Sequence, residues 1–174
     1  MSTYFHGYSQ EEYDRLAHQA LFLEPEVYPF IQFEQGAHVI EMGCGIGAQT
    51  QILLRRNPSI RITAVDRSDE ELDLAANFTP KEFQDRVDFV HGDLMDFVSA
   101  SPGDAAFCCW MLEHASDPLG ILKQIRKSLR PGAVIYLTEV QNHSLKLHPE
   151  SKASMIYWEA YSKLQEEMQG DPFI

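Results

Sequence analysis

The sequence predicts an α/β fold, a doubly wound parallel sheet of about five strands, and three observations predict it. Short apolar runs alternate with segments whose apolar residues recur at helical spacing. The runs are apolar at successive positions, as strands buried on both faces require. Three glycines, Gly43, Gly45 and Gly47, stand where the first run gives way to a helix, the point at which a parallel sheet enters its crossover.

Ser9 followed by Glu12 forms a capping box, and Tyr13, Leu16, Ala17, Ala20 and Leu21 carry a helix over about residues 10–24, until Pro25. A shorter helical piece is expected over residues 26–33, ended by Gln35-Gly36. His38 to Met42 reads as the first strand. Gly47 to Asn57 reads as a helix stopped by Asn57-Pro58, because the residue before proline is pushed out of the helical region. Arg61 to Asp66 is the second strand. Ser68 with Glu71 repeats the capping box and opens a helix to about Phe78. Val87 to His91, ending at Gly92-Asp93, and Asp104 to Trp110 give the third and fourth strands. Asp117-Pro118 sets a cap and a first-turn proline for a helix with Leu119, Leu122, Ile125 and Leu129 on one face, ended by Arg130-Pro131-Gly132. Ala133 to Glu139 is the fifth strand. After a loop holding His143 and His148, Ser151 caps a last helix with Met155, Trp158, Tyr161, Leu164 and Met168 on one side, closed by Gly170. No further strand follows, so the fifth strand is left as an edge. It is expected to be covered by the helix from Ser151 to Met168 or to pair with a second copy, most simply as a two-fold dimer.

The 174 residues suit one domain: residues 1–35 helical, 36–140 the α/β core, and 141–174 a loop and terminal helix. With 44% hydrophobic residues the chain can bury a sizeable core. The balance of 14 Lys+Arg against 26 Asp+Glu gives −12, which repels a nucleic-acid backbone or an anionic membrane and favours small or cationic ligands. The longest apolar run is the eight residues Ala105 to Leu112, far short of the ~20 that a spanning helix needs. The first residues have neither a basic start nor an apolar stretch, so a cytoplasmic location is expected. Cys44, Cys108 and Cys109 show no disulfide or metal spacing and read as reduced, buried thiols, with no metal.

The glycine cluster alone is weak evidence, since Gly43, Gly45 and Ala48 also satisfy a dinucleotide fingerprint and so leave a nicotinamide-dependent oxidoreductase as an alternative. Glu41 discriminates. Two residues before the first glycine, it would crowd a pyrophosphate but suits the ammonium or sulfonium end of a zwitterionic cofactor such as S-adenosylmethionine. Asp66 ends the second strand, where a carboxylate can accept hydrogen bonds from both ribose hydroxyls or merely cap a turn. Asp93 could accept from an adenine amino group, with Leu94 packing on the ring, or could serve the turn there. Together the three strand ends describe one nucleoside-shaped crevice.

The set Glu41-x-Gly43-x-Gly45-x-Gly47, Asp66, Gly92-Asp93, Leu112-Glu113-His114 and Leu129-Arg130-Pro131-Gly132 resembles the class I S-adenosylmethionine-dependent methyltransferases. Leu112-Glu113-His114 is similar to the small-molecule enzymes of the ubiquinone and menaquinone type. The resemblance implies a Rossmann-like fold, S-adenosylmethionine as cofactor, S-adenosylhomocysteine as product and a small-molecule methyl acceptor. It implies cofactor contacts from Glu41, Gly43, Gly45, Gly47, Thr50, Asp66, Arg67, Asp93, Leu94 and Trp110, and from a helical lid over residues 1–35 through Tyr8, Arg15 and Gln19. Trp110 and Met111 are expected to offer backbone carbonyls to the cofactor's ammonium. His114 is the first candidate base, unless it serves only the helix that follows. Glu139 is the second, with His6 and His143 behind it. Relatives continue past Ile174 with a further helix and two strands, so the chain is expected to be truncated before them. A non-catalytic module that binds cofactor or self-associates through the exposed edge is therefore a further alternative.

Overall fold

The computed structural model describes residues 9–173. Five parallel strands, β1 (His38–Met42), β2 (Arg61–Asp66), β3 (Val87–His91), β4 (Gly103–Cys109) and β5 (Leu129–Thr138), lie in the order β3-β2-β1-β4-β5. The order reverses between β1 and β4, so the chain leaves these neighbours in opposite directions and opens a crevice at their carboxyl ends. The α/β class is the one the alternating pattern predicts.

Both faces of the central strands are apolar, and each face has its own cover. Val39, Ile62, Ala64 and Phe107 pack under α1 (Gln10–Val27), α2 (Ala48–Arg56) and α3 (Asp69–Phe78), through Ala20, Ile52, Leu53 and Leu72. Ile40, Met42, Val65, Ala106 and Cys108 pack under α5 (Pro118–Arg126), through Ile121 and Ile125. A four-residue helix α4 (Lys81–Gln84) precedes β3.

Several boundaries differ from expectation. The separate piece over residues 26–33 does not form: α1 runs through Pro25 to Val27 and ends in a bend at Tyr28. The carbonyl that Pro25 cannot engage belongs to Leu21, whose residue is 54% exposed, so water can satisfy it, while burial of Ala20 and Tyr28 holds the helix in place. Leu129 pairs with Gly103 as the start of β5 instead of extending α5, and the register shifts before Val134 meets Ala105. Arg130-Pro131-Gly132 is therefore an irregularity within β5, with Gly132 at φ +86°. Leu119 is exposed, and α5 packs through Ile121 and Ile125 instead.

The last helix, α6 (Lys152–Glu167), departs furthest. Met155 and Leu164 are exposed, and the residues it buries are Ser162 and Gln165. It docks by hydrogen bonds. Asn142 Nδ2 donates to Ser162 Oγ at 3.1 Å, Trp158 Nε1 to the Asn142 carbonyl at 2.9 Å, and Gln165 Nε2 to the Glu113 carboxylate at 3.1 Å. These partners follow β4 and β5, so α6 sits at the carboxyl end of the sheet and does not cover the edge, where Val134 and Leu137 remain exposed.

The turn after β1 is held from behind. Thr50 Oγ1 donates to Glu41 Oε2 at 2.7 Å, and both residues are buried. Burial pushes the Glu41 carboxyl up to about 8; the Thr50 bond opposes the shift and nearby Asp66 adds to it.

Phe107 is fully buried on β4 and stacks on Tyr28 with centroids 5.9 Å apart. Phe107→Ala should lower the unfolding free energy by about 3–5 kcal/mol in a urea titration. A loss typical of a surface change would contradict this packing. A second expectation concerns pH. The folded chain holds the Glu41 proton more tightly than the unfolded chain does. That contribution is whole below the ordinary carboxylate value of 4.5 and is lost as pH rises towards about 8. In urea titrations at pH values across that window, Glu41→Gln should flatten the fall in stability, and parallel curves for the two proteins would refute it.

Candidate functional site

The carboxyl ends of β1, β2, β3 and β4 surround one cavity of about 410 Å³. Its floor is the turn after β1. The Gly43 and Cys44 amides both donate to the Val65 carbonyl, at 2.9 and 3.1 Å, folding the turn onto β2. Gly43 has φ +68°, and a Cβ there would lie 2.3 Å from Met111 Cγ, so the position needs glycine for its backbone and for its space. A Cβ on Gly45 would meet nothing within 4 Å, and this glycine lines the cavity, so the backbone is bared towards whatever the cavity holds.

Asp66 fixes the next wall. Its Oδ2 accepts from the Gly45 amide at 2.9 Å and its Oδ1 from the Ser68 amide at 3.0 Å. Each oxygen keeps acceptor capacity for a ligand hydroxyl. Arg67 and Ser68 continue this wall, and Asp93, Leu94 and Met95 form the one after β3. Asp93 Oδ1 accepts from the Met95 amide at 2.9 Å, and Leu94 is buried.

Trp110, Met111 and His114 form the side after β4. Trp110 lies at φ +55°, rare for a bulky residue, while its amide donates to the Thr138 carbonyl at 2.8 Å. Residues Leu112–His114 make a single 3₁₀ turn that brings His114 to the cavity, with Nε2 3.8 Å from Glu113 Oε1. Gln19 and Leu16 of α1 reach the cavity from above.

The structure therefore brings Gly43, Gly45, Asp66, Arg67, Asp93, Leu94, Trp110, His114 and Gln19 to one cavity. It places other candidates elsewhere. Glu41 and Thr50 are bonded to each other behind the turn, so the carboxylate expected to face a cationic ligand does not line the cavity. Gly47 caps α2 at φ +75° and lies against Ala75 of α3. Arg15 pairs with Glu12 at 2.6 Å and bonds Gln19, acting on the cavity through its neighbour. Glu139 is not a cavity wall: its oxygens accept from Cys108 Sγ and from the Leu112 and Glu113 amides, which makes it the anchor of the 3₁₀ turn. Burial raises its carboxyl above the ordinary value, and those hydrogen bonds lower it. His143 lies in a 3₁₀ turn beyond β5, and Tyr8 and His6 lie outside the described residues.

Sequence reasoning missed several contributors, Gln169, Asp117 and Glu71 among them. Gln169, at φ +69° just past α6, lines the cavity because Gly170 lets the chain pass beside the Glu113 carbonyl, where a Cβ would sit 2.5 Å away. Asp117 caps α5 and lines the cavity as well. Glu71, read as half of a capping box, lines it from α3. Among the described residues no group of His, Cys, Asp or Glu is arranged to hold a metal, and no helix is long and apolar enough to cross a membrane.

Comparison with known proteins agrees with this geometry. Residues 40–137 match the methyltransferase domain family. The chain is 26% identical to trans-aconitate 2-methyltransferase of Azoarcus sp. (strain BH72), over 81% of this chain and 54% of that protein. It is 33% identical to the ubiquinone biosynthesis O-methyltransferase of Xanthomonas campestris pv. campestris (strain B100), over 59% of this chain and 43% of that one. The chain thus spans about half the length of these relatives. The crystal structure of an S-adenosylmethionine-dependent methyltransferase from Thiobacillus denitrificans, in complex with S-adenosyl-L-homocysteine, superposes with a TM-score of 0.50 at 27% identity, covering 70% of this chain and 46% of that one. With the family match spanning the strands that build the cavity, the chain belongs to the methyltransferase domain family, within the class I S-adenosylmethionine-dependent methyltransferases.

Proposed function

We propose that this chain is the cofactor-binding domain of a small-molecule methyltransferase, with residues 1–35 as its lid, 36–140 as its core and 141–174 as a loop and terminal helix at the acceptor side. One observation carries the reading: the glycine turn, Asp66 and the Asp93-Leu94 wall open on the same cavity. Its volume of about 410 Å³ lies within the range of ligand pockets. The residues fit S-adenosylmethionine. Asp66 has the acceptor capacity for ribose hydroxyls, Asp93 and Leu94 suit an adenine edge and face, and bare backbone at Gly45 admits the amino-acid end. When bound, that cofactor supplies a methyl group on a sulfonium and leaves as S-adenosylhomocysteine.

The chain's own contribution is position and proton management. Trp110, Met111, His114 and Gln169 enclose the side of the cavity where the acceptor would stand, and holding it in line supplies much of the rate. His114 is the base where the acceptor carries a proton, its Nε2 standing 3.8 Å from Glu113 Oε1. Glu139 holds the turn that presents His114. The outer strand β5, with Val134 and Leu137 exposed, supports pairing with a second copy. The free cysteines are in keeping with a cytoplasmic protein.

S-adenosylhomocysteine should raise the melting temperature of the chain, because a ligand that binds only the native state stabilises it. Asp66→Ala should weaken its binding at least tenfold by calorimetry, since hydrogen bonds to a charged acceptor contribute roughly 1.5–3 kcal/mol each. Absence of any ligand-induced shift, or an unchanged dissociation constant in a folded Asp66→Ala protein, would contradict the assignment. Light scattering over a dilution series should detect a two-chain species, and a strict monomer at all concentrations would remove the dimer.

A further inference from the structure

Glu71 is a buried carboxylate that its local motif does not use. The Ser68-x-x-Glu71 spacing implies reciprocal capping, with the Glu71 side chain returning to the Ser68 amide. Only half of that box forms. The Glu71 amide donates to Ser68 Oγ at 3.3 Å, but the Ser68 amide donates to Asp66 Oδ1 at 3.0 Å. Asp66 has taken the donor that would have fixed Glu71. The residue is 8% exposed and lines the cavity, and among the described residues no hydrogen bond reaches its carboxylate.

Its surroundings are mostly acidic. Asp66 and Arg67 face it from the end of β2, Glu12 from α1, Glu70 from its own helix, and the Cys44 thiol from the glycine turn. Arg67 stands against these carboxylates, and Glu12 is paired with Arg15. Desolvation pushes the Glu71 carboxyl up to about 7, Asp66 and the other acids add to that, and Arg67 opposes it. Its oxygens open on the cavity, and a cation there stabilises the ionised carboxylate where a neutral ligand does not.

We propose that Glu71 is a specificity-determining residue of this cavity, whose ionised form favours a ligand of net positive charge, so that the sulfonium cofactor is held in preference to its net-neutral thioether product. The inference rests on the cofactor reading above. Linkage gives its sign: a cation favours the ionised carboxylate, so affinity for S-adenosylmethionine gains from Glu71 as pH rises through about 7, whereas affinity for the zwitterionic S-adenosylhomocysteine does not.

Calorimetric titration of the whole chain with each of these two ligands, at about pH 6 and about pH 8, tests it. In the native protein the preference for S-adenosylmethionine should rise about three- to tenfold between the two pH values. Glu71→Gln should abolish the Glu71-dependent part of that rise while leaving the S-adenosylhomocysteine constant nearly unchanged. Because desolvation disfavours the ionised carboxylate, Glu71→Gln and Glu71→Leu should both melt no lower than the native protein without ligand. The same pH-dependent preference in native protein and variant overturns the proposal, as does a variant that loses stability and both ligands together. If neither ligand binds the native protein, the cofactor reading itself has failed, which is a separate outcome.

Discussion

The hydrogen bond from the Gly45 amide to Asp66 Oδ2, 2.9 Å long, joins two crossover turns that topology alone only brings near each other. With the second bond to the Ser68 amide, one carboxylate fixes the glycine turn after β1 and the start of α3 after β2. The width of the cavity between them follows. Gly43 can then pass beneath Met111, and the wall after β4 closes against the floor without a side chain in between. A ligand entering this cavity meets groups already held in place, so little ordering cost falls on binding.

Much of this was legible in the sequence because a parallel strand buried on both faces leaves an unambiguous apolar run. β1, β2 and β3 fall where their residues predict. The glycine turn and the strand-end aspartates were legible for the same reason, since topology assigns them a place once the strands are known. What could not be read depends on tertiary partners. Leu129 has the spacing of a helix face, yet pairing with Gly103 draws it into the sheet. Pro25 signals a stop, yet burial on either side of it outweighs one lost bond. The apolar stripe of α6 suggests packing on the sheet, yet Gln165 and Ser162 find polar partners after β4 and β5 and turn the helix towards them.

The acidic residues at this end of the sheet show why residue type does not settle role. Burial raises the carboxyls of Glu41, Glu71, Glu113 and Glu139 alike. Their partners separate them. Glu41 is occupied by a hydroxyl, Glu113 by the Gln165 amide and Glu139 by the backbone amides of a turn, so each supports the walls. Among the described residues Glu71 has no such hydrogen-bond partner, and it lines the cavity. From sequence, Glu41 looked functional because it stands two residues before Gly43 and Glu139 because it ends the fifth strand, yet their hydrogen bonds hold both behind the cavity walls.

A nucleoside cofactor in the cavity built by these turns would hold the backbone segments that wall it. Amide exchange with and without S-adenosylhomocysteine tests this most directly, because protection reports which backbone segments the ligand holds. Protection should concentrate in residues 43–49, 66–71, 92–95 and 110–116, the segments that wall the cavity. Exchange unchanged in these segments at saturating ligand, or protection confined to β5 and α6, would contradict it.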